Sequence, residues 1–404
     1  MISRKIPDAR KTAPLLGALL GLSIGSLAIG HVAGGRHVAL FLIGGLLGVT
    51  FFRASFGFAG AWRKLVLERR GAAIRSQFLM VALTSALILP GLWFLPTYGV
   101  RVGGAFAPIG VSLIVGATLF GFGMQLGGGC GSGTLFTVGG GNRKMVITLM
   151  AFIGGSTIGT IYLPWWISQP SLGTINLAGT VGPAATVIGT IALLALLAML
   201  TMALERSRHG AIEPSKREDG PRLSLRGPLR PIEAAVIISV LNLATLIVAG
   251  HPWSITYGFG LWGAKMAAAV GFDVDNWLFW QLPTNARSLN ATVLSEVTSI
   301  MDFGLILGAM VAAGAAGKFY PKTHLSLGSV SSAILGGLMM GFGARLSFGC
   351  NIGAFVGGIA SGSLHGWVWF CCAFVGSLIA IWGGKFRYRA LLLVTRSTDG
   401  SARG

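Results

Sequence analysis

Apolar residues recur in long uninterrupted runs, separated by short polar stretches, near residues 13–33, 38–60, 78–96, 109–127, 145–166, 182–204, 232–250, 300–317, 331–348 and 367–384. A helix needs about 20 apolar residues to cross the hydrocarbon core of a bilayer, so the pattern predicts about 9–10 full spans. Backbone N–H and C=O groups inside hydrocarbon must be satisfied within the protein, which a helix does segment by segment. No ten-residue alternation of the kind a membrane barrel requires recurs, and 63 glycines favour close helix packing. The expected fold is an all-α polytopic membrane protein.

Three stretches break the pattern: 128–142, 251–299 and 349–365. They are rich in glycine or interrupted by Asp273, Asp275, Pro283 and Glu296. Irregular backbone at membrane depth is tolerated where protein or a water-filled cavity surrounds it, so short re-entrant helices are expected there. Basic clusters in 62–75, 205–230 and 385–389, together with the N-terminus, mark the cytoplasmic side by the positive-inside rule. The 205–230 stretch alone has the composition of a linker, which gives a first membrane half (1–204), a cytoplasmic linker (205–231) expected to be mobile, a second half (232–386) and a cytoplasmic tail (387–404).

Composition sharpens this picture without changing it. Charged residues are only 11% of the chain, yet Lys+Arg outnumber Asp+Glu by 31 to 12, for a net charge of +19. Those cations sit beside apolar runs, where anionic lipid headgroups are sufficient partners, and no basic-aromatic surface for nucleic acid can be assembled from them. The basic start and the apolar run to about residue 33 are read as a first membrane helix rather than a cleaved leader. Four cysteines, Cys130, Cys350, Cys371 and Cys372, lie in apolar segments, which argues against a disulfide framework.

Two of those cysteines fall at the same point of a repeated phrase, "GFGMQLGGGCGSG" from 121 and "GFGARLSFGCNIG" from 341. At an offset of 220, seven of thirteen positions are identical, including Gly129 with Gly349 and Cys130 with Cys350, which indicates an internal duplication. A weaker echo pairs "SFGFAGAWRK" (55–64) with "TYGFGLWGAK" (256–265). Arg143 and Lys144 after the first phrase argue for the cytoplasmic side, whereas "ASGSLHGW" after the second precedes one last span to a cytoplasmic tail. Opposed copies are expected to form an inverted repeat around a transport site.

The chemistry of each phrase follows from its residues. Glycines around a cysteine (Gly129 and Gly131, Gly349) let the backbone turn sharply, and N–H groups at the start of the next short helix attract an anion. The thiol adds a weakly hydrating S–H donor and a polarisable sulfur suited to a sulfur-bearing anion. Hydrogen bonding is preferred to covalent transfer, because nothing in the sequence marks a thiolate. Arg345, with Gln125 in the corresponding place, has two readings: drawing an anion inward, or a structural pairing with Asp302, Glu296 or backbone carbonyls. Lys265 permits the same pair of readings, with snorkelling as the plain one. Asn142 and Asn351 are expected to satisfy half-helix ends, and His365 to sit in the interfacial aromatic belt beside Trp367 and Trp369. Cys371 and Cys372 face different directions on one apolar helix and read as packing residues. Glu296 and Asp302 are the carboxylates nearest a pathway in the second half, which leaves proton coupling open. No metal-ligand spacing, cofactor loop or P-loop is present, and no catalytic constellation appears.

The two cysteine phrases and "GHPWSITYGFGLWGAK" together resemble the YeeE/YedE family of bacterial membrane proteins, the sulfur-transport family that includes thiosulfate uptake proteins. The resemblance covers most of residues 38–385. It implies an hourglass-shaped inner-membrane protein of inverted repeats that passes thiosulfate between thiols by S–H contacts. It also implies cooperation with a small cytoplasmic sulfur-carrier protein. Carried over residue by residue, the pathway comprises Cys130 and Cys350. A third cysteine of thiosulfate-transporting members is absent, with Gly57 in its place, so selenium or another reduced sulfur species remains an alternative substrate. A membrane thiol-redox or sulfur-transfer subunit is the competing class.

Overall fold

The computed structural model describes the backbone of residues 9–212, 227–319 and 325–400, and the side chains of residues 12–212, 227–319 and 325–384. Most of the expected linker, the first eight residues and the last four lie outside these ranges. The first half holds α1 (Ala9–Ala33), α2 (Gly35–Ala54), α3 (Phe58–Glu68), α4 (Ala72–Phe94) and α5 (Val111–Gly127). It continues with α6 (Gly131–Gly139), α7 (Arg143–Ile167), α8 (Leu177–Val181) and α9 (Pro183–His209). The second half holds α10 (Pro231–Ala249), α11 (Thr256–Ala269), α12 (Leu278–Gln281), α13 (Pro283–Asn290), α14 (Val297–Ala315) and α15 (Leu327–Leu346). A π-helical turn (Asn351–Val356) then leads into α16 (Gly357–Ala360), and α17 (Leu364–Gly400) follows. Among the described residues no strand forms beyond two isolated bridges, and 10 spans are long and apolar enough to cross a membrane. The chain is an all-α multi-pass membrane protein.

The apolar runs locate these spans, and the three irregular stretches become the short helices between them. The boundary at residue 204 has no break, because α9 continues to His209, and the helical backbone of α17 continues past 387. Near the end of α9, Glu205 is fully buried and accepts from Arg75 of α4 at 2.7 Å.

The ends of the bundle differ in charge. Gly140 and Gly141 lie against Phe52 and Phe319, Arg53 reaches the Gly227 carbonyl, and Arg75 meets Glu205. With Arg63 on Gln125 and His209 on the Glu68 carbonyl, these contacts gather Arg53, Arg63, Arg69, Arg75, Arg143 and Lys318 at one end. At the opposite end the Gly103 N–H donates to the Gly250 carbonyl, and Asn176 bridges to Ser363. The helices α11 to α13 gather at that opposite end, since α14 packs parallel to α2, with Gly304 against Phe41 and Gly48 against Leu305 and Ala309.

Packing repeats between the halves. α15 lies on α7 as α5 lies on α17, and α14 on α2 as α4 on α10. Gly341 abuts Phe152 and Ser156, while Gly121, 220 positions earlier, abuts Ala373 and accepts from the Ser377 hydroxyl. The two phrase helices α5 and α15 run antiparallel, with Gly116 against Ser347 and Gly127 against Gly336. Both contacts are the same contact seen from either half, since 116 and 127 correspond to 336 and 347 at the offset of 220. Glycine at these crossings lets backbones approach within van der Waals distance, the device by which apolar helices associate in lipid.

Candidate anion pathway

Each cysteine phrase ends a long helix and starts a short one. α5 stops at Gly128 (φ 90°), and Cys130 then caps α6, its sulfur accepting from the Gly133 N–H at 3.3 Å. α15 stops at Ser347, Phe348 (φ 60°) and Gly349 (φ 155°) redirect the chain, and the Cys350 sulfur accepts from the Ile352 N–H at 3.5 Å. A Cβ on Gly349 would fall 2.7 Å from the Ala354 nitrogen, in backbone space that L residues rarely enter. The glycine before the cysteine therefore lets the elbow close onto the helix start. The Cys130 sulfur also lies 3.5 Å from the Ser132 hydroxyl, and either group can donate in that contact.

The two elbows meet. α6 packs on the π-helical turn, and a Cβ on Gly131 would stand 3.2 Å from the Cys350 sulfur. Both cysteines are free and 1% exposed, and Cys350 is within electrostatic range of Cys130 and Asp302. Asn351 is fully buried with neither amide atom hydrogen-bonded among the described residues. The expected capping role therefore falls to Cys350, and Asn351 stands one position too late for it. Asn142 does cap, accepting from the Met145 N–H at 3.3 Å.

Arg345 lines a cavity of about 330 Å³ toward the less basic end, together with Ser254, Thr256, Tyr257, Asn285 and Gly349. Its Nη2 donates to the Thr256 carbonyl and the Ser156 hydroxyl, each at 3.2 Å, and its Cζ lies 5.0 Å from the Phe279 ring centroid. Of the expected partners only a backbone carbonyl is used. Glu296 instead caps α14, accepting from the N–H groups of Thr298 (2.8 Å) and Ser299 (2.7 Å). Sequence reasoning missed Ser254, Tyr257 and Asn285, although "GHPWSITYGFG" and the interrupted 251–299 stretch carried the signal.

The charge asymmetry between Gln125 and Arg345 is corrected by a neighbouring helix. Arg63 of α3 donates Nε to the Gln125 side-chain oxygen at 3.1 Å and Nη2 to its carbonyl at 2.7 Å. Lys144 stands beside Gly128 at the same elbow. Each elbow thus has a guanidinium, one from its own helix and one lent. A comparison along a single phrase cannot see a charge brought in by tertiary packing.

Other expectations move. Lys265 does not line the cavity; its ammonium holds the Leu289 and Ala291 carbonyls at 2.5 and 2.7 Å. His365 is buried rather than interfacial, 2.7 Å from the Ser363 hydroxyl, because Gly358 leaves room for its ring. Trp369 is also buried, donating to the Ser347 hydroxyl at 2.9 Å. Cys371 is exposed and Cys372 half-buried on α17, away from the elbows. Gly57 caps α3 with nothing within 4 Å of the position a Cβ would take.

A family model described as sulphur transport matches residues 53–379. The chain belongs to the sulphur transport family. The matched span begins near the end of α2 and contains both elbows, Arg63, Arg345 and the cavity residues. The chain is 25% identical over 355 residues to the thiosulfate transporter TsuA of Spirochaeta thermophila, covering 84% of this chain and 97% of that one. To TsuA of Escherichia coli it is 23% identical over 350 residues, covering 84% and 92%. To the probable transporter YedE of Escherichia coli it is 30% identical over 147 residues, and this chain spans 36% of that protein's length. The family is one of transporters.

Proposed function

We propose that the chain is a permease of the bacterial inner membrane for a small sulfur-containing anion, with thiosulfate as its substrate. The observation that carries this reading is the meeting of two cysteine-capped elbows, with Gly131 of one packed directly against the Cys350 sulfur of the other. With the basic end cytoplasmic, the Arg345 cavity is the outer vestibule and Arg63 with Lys144 forms the inner one. An anion drawn to Arg345 passes to the S–H group of Cys350, then to that of Cys130, and leaves past Gln125. Helix N-termini add fixed positive character at both thiols, and neutral S–H donors hold an anion weakly enough to release it. The unpaired Asn351 amide offers a donor beside Cys350.

Antiparallel packing of α5 on α15 supports an inverted repeat of halves 1–204 and 232–386, with the linker 205–231 and tail on the cytoplasmic side. The names of the two TsuA relatives support thiosulfate. A small sulfur-carrier protein is the partner suited to collect the anion at the basic end. One observation favours a second substrate: Gly57 withholds a third thiol at an elbow facing open space, so a selenium or other reduced sulfur anion is the alternative. Competition against labelled thiosulfate uptake in proteoliposomes separates the two. Unlabelled thiosulfate is expected to compete and sulfate, which lacks the terminal sulfur, is not; equal competition by sulfate would remove the role assigned to the thiols.

A further inference from the structure

The halves differ at one buried position that transport of an anion does not itself require. Ser239 of α10 accepts from the Thr84 hydroxyl and lies 3.1 Å from the Met80 carbonyl, as Gly48 of α2 stands against Leu305 and Ala309. By packing, residues 80 and 84 take the places of 305 and 309, and "QF" at 77–78 is set against "DF" at 302–303, an offset of 225 in place of the 220 of the cysteine phrases. Gln77 is fully employed: its amide nitrogen donates to the Gly57 carbonyl at 3.2 Å and its oxygen accepts from the Trp62 ring N–H at 3.1 Å. Asp302 stands beside Gly258 as Gln77 stands beside Gly57, but Trp262 donates to Ser299 instead, at 2.8 Å. Both Asp302 oxygens are left without a hydrogen-bond partner among the described residues, at 0% exposure.

The geometry points to Asp302 as a proton-binding site that couples inward anion movement to a proton, resting on the permease reading. A carboxylate held in apolar surroundings with no donor and no cation pays the full cost of desolvation, which a bound proton removes. The titratable groups whose charge reaches it are Glu296, six residues earlier at the start of its own helix, and the Cys350 thiol. Among the described residues no cation on α1, α2, α6 or α11 hydrogen-bonds to it, and Lys265 of α11 is held by the Leu289 and Ala291 carbonyls. Asp302 lies one turn beyond a hydrogen bond at the start of α14. Glu296 at the less basic end bonds the Ser299 hydroxyl at 2.6 Å, and Asp302 follows one turn further along the same face. The hydrogen-bonded amide of Gln77 shows that packing at this site is met by a neutral side chain, so the ionisable group is the feature that needs a reason.

The bound proton is carried as the carboxylic acid: the carboxylate takes a proton from water admitted from the less basic side and returns it to water on the basic side, with no change of oxidation state. Infrared spectra of the full protein in liposomes, wild type against Asp302→Asn, are the first test. A protonated-carboxyl C=O band at neutral pH that disappears in the variant is expected; identical spectra in that region would overturn the proposal. The second test is the ratio of labelled thiosulfate uptake with and without an inside-alkaline gradient. One coupled proton and a gradient of one pH unit give a ratio of up to about tenfold. Asp302→Asn is expected to bring the ratio to about one, and Asp302→Glu to restore it. A ratio unchanged in Asp302→Asn, or uptake driven by sodium instead, would overturn it. Should the wild type move no thiosulfate, the substrate reading fails, while the infrared band still decides the proton site.

Discussion

Gly131 stands against the sulfur of Cys350, so closely that a methyl group in place of its hydrogen would sit 3.2 Å away. The first elbow therefore shapes the space beside the second thiol. Gly131→Val is expected to fold, since overpacking of this kind costs about 1–3 kcal/mol. Its uptake should fall by about tenfold or more, because 1.36 kcal/mol added to a barrier is tenfold in rate. Transport at the wild-type rate with normal expression would show that the anion does not pass there.

Arg345 is the cation of the outer cavity, and Gln125 is what the same position holds in the other half. Arg345→Gln is expected to raise the KM for uptake by about tenfold or more, since a hydrogen bond to a charged group contributes about 1.5–3 kcal/mol. The maximal rate should change less. Kinetics in proteoliposomes read the split, and an unchanged KM would return Arg345 to a structural role holding Thr256 and Ser156.

Gly57 has open space around it and an extended backbone (φ −114°, ψ 135°) that any residue adopts. Gly57→Cys is accordingly expected to fold with thermal stability close to that of the wild type and to increase thiosulfate uptake by adding a thiol at the α3 elbow. Unchanged uptake would show that two thiols complete the relay in this chain.

The Arg75–Glu205 pair ties α4 to α9 with a carboxylate at 0% exposure. Glu205→Ala leaves the guanidinium without its buried partner, a loss of about 3–5 kcal/mol. A clear fall in the melting temperature in detergent is expected, with a smaller fall for Glu205→Gln. Equal stability of the alanine variant would mean that water replaces the carboxylate.

Much of the architecture was legible because lipid imposes a simple rule on sequence. Runs of about 20 apolar residues became spans, and the repeated phrase marked the elbows, with Cys130 and Cys350 each capping a short helix. What stayed hidden was what separate helices bring together. Arg63 reaches Gln125 across 62 positions, and Tyr257 and Asn285 join Arg345 through a stretch that read only as interrupted. His365 and Trp369 read as interfacial because aromatic and polar residues near a span end usually are; their burial comes from Gly358 and Ser347, which no local pattern announces.

The central claim is that the two thiols are successive stations for one anion. Uptake of labelled thiosulfate by cells lacking other routes, compared for the intact protein, Cys130→Ala and Cys350→Ala at matched expression, tests it most directly. The account predicts uptake by the intact protein and its loss in both variants. Wild-type uptake in either variant would contradict it.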